Sequence, residues 1–248
     1  MNTISMSFLL TILAGLSTTL GTILIFIKLK NESKVIAGSL AFAGGVMLCV
    51  SVTDLVPESI FMLKTNFNGI SIVILSFTFI MIGMILSSLI DNKLPSISKD
   101  TPLYRVGIIS MLAIILHNIP EGIATFISTT KDISLGLSLS LAIAMHNIPE
   151  GISISVPIYY ATGSKKKALL YTILSGLSEP LGAVITYLFL LPFINDIILG
   201  LLFSLIAGIM IYISFVELLP TSNSYNEFFI SKLFFIIGVI FMLLKYII

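Results

Sequence analysis

Eight apolar segments divide this chain, and each is long enough to cross the hydrocarbon core of a membrane as a helix. A helix needs about 20 residues to span roughly 30 Å of lipid. The predicted spans cover residues 7–28, 34–57, 69–90, 103–128, 135–160, 168–191, 197–219 and 228–246. Because the connections are short, we expect one helical bundle: an all-α membrane protein with a single polytopic domain over residues 1–248.

The composition indicates that lipid is the main solvent of this chain. Only 10% of its residues are charged and 57% are hydrophobic, whereas a soluble domain has about 25% charged residues. The net charge of +1, without a basic patch carrying interleaved aromatic residues, does not indicate a nucleic-acid partner. The single cysteine, Cys49, excludes an internal disulfide and any metal site built from several cysteines.

The basic residues predict how the helices are oriented, because loops rich in lysine and arginine stay in the cytoplasm. The even-numbered loops and the C-terminal end hold only Lys64, Lys131 and Lys245. We therefore predict that both termini lie outside the cytoplasm, and that the first segment is a retained span, since no basic residue precedes Lys28. The odd-numbered loops and their flanks hold the remaining basic residues: Lys28, Lys30, Lys34, Lys93, Lys99, Arg105, Lys165, Lys166, Lys167 and Lys232.

The sequence His-Asn-Ile-Pro-Glu-Gly occurs twice, at residues 117–122 in the fourth span and 146–151 in the fifth. Histidine and glutamate four residues apart lie one above the other on a helix face, and the proline between them frees the carbonyl four residues earlier. Since the two spans run in opposite directions, the recurrence predicts an inverted repeat. A weaker repeat joins DLVP at residues 54–57 to ELLP at residues 217–220.

Three glutamates, Glu121, Glu150 and Glu179, are predicted to lie near the middle of the membrane. Burying one charge there costs at least about 2.5–3.5 kcal/mol, so protons or bound cations must neutralise them. The neighbouring His117 and His146 favour a divalent cation, because imidazole and carboxylate together suit Zn, Fe, Mn, Co, Ni or Cd. One tetrahedral ion and two adjacent bridged ions are both compatible with this ligand set.

Further polar residues accompany this predicted site. Asn118 and Asn147 lie beside its helix faces, where they either offer amide oxygens to a metal or join helices by hydrogen bonds. Asp54 and Glu58 are predicted to line an outer mouth and Glu217 an inner one, since acidic mouths attract cations. The alternative is that these acids only reach towards the interface.

These residues resemble the ZIP family of divalent metal transporters. The resemblance covers the whole chain and rests on HNIPEG in both central spans, VPIYYATGSKKKA after the second copy, SGLSEPLGA in the sixth span and FVELLP in the seventh. It implies eight helices in a 3+2+3 arrangement with inverted repeats, in the plasma membrane of a bacterium. It implies metal ions moving towards the cytoplasm through a bundle that shifts against a dimerising scaffold. The implied metal ligands are His117, Asn118, Glu121, His146, Asn147, Glu150 and Glu179.

We therefore predict a carrier rather than an enzyme, with Zn²⁺ or else Fe²⁺, Mn²⁺, Co²⁺ or Cd²⁺ as substrate, no resident cofactor, and a homodimer as the assembly that the resemblance implies. A metal-dependent hydrolase would use similar ligands but more often carries a His-Glu-x-x-His helix, which this sequence lacks. A proton-conducting or structural membrane protein would need the carboxylates but not the paired imidazoles. Asp91, Asp100 and Asp132 are expected to be solvated loop residues.

Overall fold

The structure, a computed structural model, describes residues 2–27, 30–93, 102–193 and 195–244. Within these ranges the chain forms eight helical segments and no strand, so the prediction of an all-α protein is confirmed. The basic residues Lys28, Lys99 and Lys245, and also Asp100, lie outside the described residues. In chain order the segments are α1 (Thr3–Phe26), α2 (Glu32–Leu63), α3 (Ile70–Lys93), α4 (Pro102–Lys131), α5 (Ile133–Thr162), α6 (Lys165–Leu190), α7 (Asp196–Ser224) and α8 (Phe228–Leu243).

Six of these helices, α1 to α4 with α6 and α7, are long and apolar enough to cross a membrane, judged by length and composition. The described part of α8 is shorter, at 16 residues. Helix α5 has 30 residues but carries His146, Asn147 and Glu150 in its middle. Each of the eight predicted spans thus coincides with a helix, and six meet the criteria for a membrane span.

Two helices continue past the prolines at which the sequence predicted their ends. Helix α2 runs beyond Pro57 to Leu63, and α7 runs beyond Pro220 to Ser224. In both helices a wider π turn, Ser51–Leu55 or Ile213–Leu218, comes before the proline. A proline ring crowds the carbonyl four residues earlier in a regular α-helix, and a π turn changes that local geometry without ending the helix. The predicted ends at residues 57 and 219 are therefore wrong.

The helices pack into two groups. Helices α1, α4, α5 and α6 pack on one another and form what we call the site bundle. Helices α2, α3, α7 and α8 form the flanking bundle, in which α8 packs on α2 and α3 packs on α7. The two bundles meet where α2 packs on α5, where α4 packs on α7, and where α3 packs on α4.

Matching features recur in helices that are far apart in sequence. Residues 11–21 of α1 (TILAGLSTTLG) and residues 172–182 of α6 (TILSGLSEPLG) agree at eight of eleven positions, a repeat that the sequence analysis did not use. In the flanking bundle the hydroxyl oxygens of Ser59 on α2 and Ser76 on α3 lie 3.4 Å apart. The hydroxyl of Ser222 on α7 correspondingly donates to that of Ser231 on α8 at 2.7 Å.

The two ends of the bundle are named here by their basic residues. The Lys131 end is where α4 ends and α5 begins, together with the α2–α3 and α6–α7 connections. The Arg105 end is the opposite one, where α4 begins and α5 ends. The two HNIPEG copies, residues 117–122 and 146–151, lie between the two ends, in the middle of α4 and α5.

Candidate metal site

Helix α4 supplies a histidine and a carboxylate to the interior of the site bundle. His117 and Glu121 lie one helical turn apart, and His117 Nε2 is 3.2 Å from Glu121 Oε1. Both residues are buried, with 1% and 2% of their surface exposed. Pro120 lies inside the helix between them, and it has no N–H to donate to the carbonyl of Leu116 in the preceding turn.

Helix α5 brings the second copy of the motif against the first. His146 Nε2 lies 2.9 Å from Glu121 Oε1, and His117 Nε2 lies 3.2 Å from Glu150 Oε1. The two imidazole rings have their centroids 6.1 Å apart. Side chains predicted from two antiparallel copies of one motif therefore converge on a common volume.

Three of these residues satisfy a simple geometric condition for holding a metal ion. The available ligand atoms of His117, Glu121 and His146 all lie within 4.8 Å of one another. Glu150 joins them through its contact with His117 and is fully buried. At such separations, neutral imidazole nitrogens and carboxylate oxygens can bind the same divalent ion.

The two asparagines use their amide N–H groups to join helices. Asn118 donates to the backbone carbonyl of Ser175 on α6 at 3.3 Å. Asn147 donates to the carbonyl of Ala14 on α1 at 2.9 Å and to Glu179 Oε2 at 3.0 Å. Both asparagines therefore act as helix-joining groups here, while their amide oxygens stay available as ligands, and Asn147 connects Glu179 to the site.

Two glycines allow neighbouring helices to come close enough for these contacts. A Cβ atom on Gly122 would collide with the backbone carbonyl of Glu179, and one on Gly151 would collide with that of Thr18. Thr18 occupies in α1 the repeat position that Glu179 occupies in α6. Helices α6 and α1 thus approach the α4–α5 pair equally closely from its two sides, but only α6 presents a carboxylate, that of Glu179.

Many buried ligand atoms at this site have no hydrogen-bond partner among the described residues. They are His117 Nδ1, Asn118 Oδ1, Glu121 Oε2, Asn147 Oδ1, Glu150 Oε2 and Glu179 Oε1. Leaving a buried polar group unpaired is costly, more so when it is charged. Nearly all are acceptors, so a cation fits this donor set better than any neutral ligand would.

A cavity of about 650 Å³ connects the site to the Lys131 end. Glu121 and His146 line its inner part, and Asp54 and Glu58 line it near α2. Lys131 and Asp196, which the sequence analysis did not assign to the path, also line it. The predicted mouth residues on α2 thus share one cavity with two predicted ligands.

The opposite end contains a polar cluster that the sequence analysis only partly anticipated. Glu217 on α7 is buried there, with 6% of its surface exposed, and its carboxylate interacts with that of Asp91. The expectation that Asp91 is a solvated loop residue is wrong: it lies within α3, is 8% exposed and pairs with Arg105. Asp132 instead is exposed and caps the start of α5, as a polar residue at a helix N-terminus does.

Comparisons with known proteins place this chain among zinc transporters. The family model described as ZIP zinc transporter matches residues 96–245. The chain is 42% identical to a protein named zinc transporter ZupT from Clostridium perfringens, across 98% of this chain and 95% of that protein. It is 42% identical to the ZupT of Streptococcus mutans across 95% and 94%, and 40% identical to that of Oceanobacillus iheyensis across 98% and 97%.

Proposed function

This chain belongs to the ZIP family of zinc transporters, and on that premise we propose that it carries divalent metal ions, zinc foremost, across a bacterial plasma membrane. One observation carries the proposal: two histidines and two glutamates converge inside the site bundle, with nitrogen–oxygen distances of 2.9 to 3.2 Å. The names of the matching relatives describe transporters rather than enzymes, which supports a carrier over a hydrolase.

The proposed ligands are His117, Glu121, His146 and Glu150, with Glu179 and the two asparagine amide oxygens beside them. Four such groups are enough for one tetrahedral zinc ion. Their unpaired acceptor atoms support a cationic substrate. Iron, manganese, cobalt and cadmium ions accept the same mixture of imidazole and carboxylate, and we propose them as alternative substrates.

The proposed path enters at the Lys131 end and leaves at the Arg105 end. The acidic residues Asp54 and Glu58 line the cavity that reaches the site, and Glu217 lies on the far side. The lysine-rich loops belong to the Arg105 end, so the positive-inside rule puts that end in the cytoplasm and both termini outside. Transport along this path is import.

We also propose the 3+2+3 arrangement with inverted repeats. It is supported by the similar segments of α1 and α6, and by the matching serine contacts of α2 with α3 and of α7 with α8. Repeats of this kind let a carrier expose its site alternately to each side as one bundle moves against the other. The homodimer stays a prediction from the family resemblance.

The test is zinc uptake into proteoliposomes that contain a fluorescent zinc indicator. The parent protein is expected to show saturable uptake. Glu121→Gln and Glu150→Gln keep the side-chain shape but replace a charged carboxylate ligand with a neutral, weaker amide oxygen, and we expect each to lower uptake at least about tenfold.

The matched control is Glu32→Gln, the same change at an exposed residue at the start of α2. It should take up zinc like the parent. Equal uptake by Glu121→Gln, Glu150→Gln and the control would show that these carboxylates do not bind the transported ion, and the proposed site would be wrong.

A further inference from the structure

An ion pair joins the two bundles at the Arg105 end. The guanidinium of Arg105 on α4 contacts the carboxylate of Asp91 on α3, and it also donates to the backbone carbonyl of Asp91 at 3.0 Å. From α7, the hydroxyl of Tyr212 donates to Asp91 Oδ2 at 3.2 Å. One helix of the site bundle is thereby tied to two helices of the flanking bundle.

Among the described residues, buried apolar side chains close the path at this end of the molecule. A large buried apolar cluster includes Ile36 and Leu40 of α2, Val106 and Ile114 of α4, and Ile213 of α7. All five side chains have at most 5% of their surface exposed. Residues from both bundles contribute to this cluster, so opening the Arg105 end requires the bundles to separate here.

The Lys131 end has no equivalent of this ion pair at the position that the repeat predicts. The two HNIPEG copies align α4 with α5, and this alignment puts Ser134 at the position of Arg105. The side chain of Ser134 carries no charge, and the backbone N–H of Ser134 donates to the side chain of Asp132, which caps the same helix. The end without the ion pair is the end with the cavity.

The buried hydroxyl of Ser110 also supports a second state of the protein, in which the Arg105 end is open. Ser110 of α4 is fully buried, and its Oγ has no hydrogen-bond partner among the described residues. The repeat alignment pairs Ser110 with Leu139, which lines the cavity of the Lys131 end. In an opened Arg105 end Ser110 would line the corresponding cavity, and water or the passing ion would satisfy its hydroxyl.

We propose that the Asp91–Arg105 ion pair, supported by Tyr212, is a latch that keeps the Arg105 end closed while the Lys131 end is open. This inference rests on the proposed transport function. The latch must release before the ion can leave past Glu217. Breaking the ion pair therefore favours a second state of the protein, in which the Arg105 end is open and the Lys131 end is closed.

Two cysteine substitutions, each made in a chain that keeps the native cysteine, test the latch. Ser110→Cys and Leu139→Cys occupy equivalent positions in the repeat, and the native Cys49, which is buried, sets the background. The proteins are placed in lipid nanodiscs, which leave both ends accessible, and the rate of labelling by a small water-soluble maleimide is measured. With an intact latch, the cysteine at position 139 should react quickly and the one at position 110 slowly.

Removing the latch should change both rates in opposite directions. Arg105→Gln and Asp91→Asn should each raise labelling at position 110 roughly two- to fivefold, as expected for loss of a partly exposed ion pair, and lower it at position 139. The exchanged pair, Arg105→Asp with Asp91→Arg, should restore the parent rates. Lys232→Gln removes an exposed cation of α8 instead and should leave both rates unchanged.

Two outcomes would overturn the latch. The first is unchanged labelling at both positions in Arg105→Gln and Asp91→Asn. The second is faster labelling at position 110 with no decrease at position 139, which would indicate local loosening rather than exchange of states. Labelling requires no zinc, so its result does not depend on the uptake assay. If the parent protein took up no zinc, the proposed function would be wrong, and the labelling rates would still test whether the ion pair acts as a latch.

Discussion

The segments that precede the HNIPEG motif in α4 and in α5 have related sequences but different packing. We call them the two halves of the α4–α5 pair. On the Lys131 side, Leu135, Leu139 and Ala142 of α5 line an open cavity. Their repeat equivalents on α4, towards the Arg105 side, are Val106, Ser110 and Ala113, and all three are buried. Related sequence segments thus adopt an open packing at one end and a closed packing at the other.

The repeat alone therefore does not determine which end is open. Both halves share the HNIPEG motif and the glycines that allow close helix contacts. They differ in the residues around the motif, most clearly in Arg105 against Ser134. In a two-state carrier, a few such differences are enough to bias the populations of the two states.

The largest effect is expected from putting a large side chain at equivalent positions of the two halves. Ala142→Phe projects a ring into the open cavity, so it should reduce zinc uptake to less than about a tenth of the parent value without lowering the melting temperature. Ala113→Phe puts the same ring where Ala113 is only 8% exposed, and it should destabilise the protein by about 1–3 kcal/mol. Uptake and thermal unfolding of both variants are measured side by side. Equal losses of stability would contradict the difference in packing.

A smaller effect is expected where the repeat presents a carboxylate on one side only. Glu179 accepts a hydrogen bond from Asn147, which a glutamine at this position can still accept. Glu179→Gln therefore removes mainly charge, and we expect zinc affinity to fall about tenfold, as for other residues that support a metal site. The matched change in α1 is Thr18→Val. Thr18 Oγ1 has no hydrogen-bond partner among the described residues, so affinity should stay within about twofold.

Both affinities are measured by titrating purified protein with zinc in a calorimeter. If Thr18→Val weakened binding as much as Glu179→Gln, the two sides of the site would be equivalent, and the asymmetry inferred from Glu179 would not exist.

Much of the fold and site follows from local sequence patterns. The apolar segments predicted the helices because a membrane span must be both long and apolar. The four-residue spacing of His117 and Glu121 put them on one helix face, and the antiparallel copy predicted that a second face would meet it. The repeat between α1 and α6 was also present in the sequence, and it would have identified Thr18 as the counterpart of Glu179.

Other features depend on contacts that a local pattern does not contain. A proline often ends a helix, but α2 and α7 continue beyond Pro57 and Pro220, each after a π turn that the sequence did not predict. Asp91 follows an apolar run directly and therefore resembles a loop residue, but the packing of α3 on α4 pairs it with Arg105. Which end is open is likewise decided by packing between bundles rather than within a helix.

The smallest effect is expected at the mouth of the open end, where charges act through solvent. The double change Asp54→Asn with Glu58→Gln removes two negative charges from the cavity lining. It should slow zinc uptake about two- to fivefold at about 0.01 M salt, and the difference should disappear near 1 M salt, where the Debye length falls to about 3 Å.

Lys131→Gln should do the opposite and speed uptake at low salt. Glu227→Gln removes a charge between α7 and α8 at the closed end, and it should leave zinc uptake unchanged at both salt concentrations. A loss of uptake that did not depend on salt would mean that Asp54 and Glu58 bind the ion directly, and the open end would then contain a second binding site instead of an electrostatic entrance.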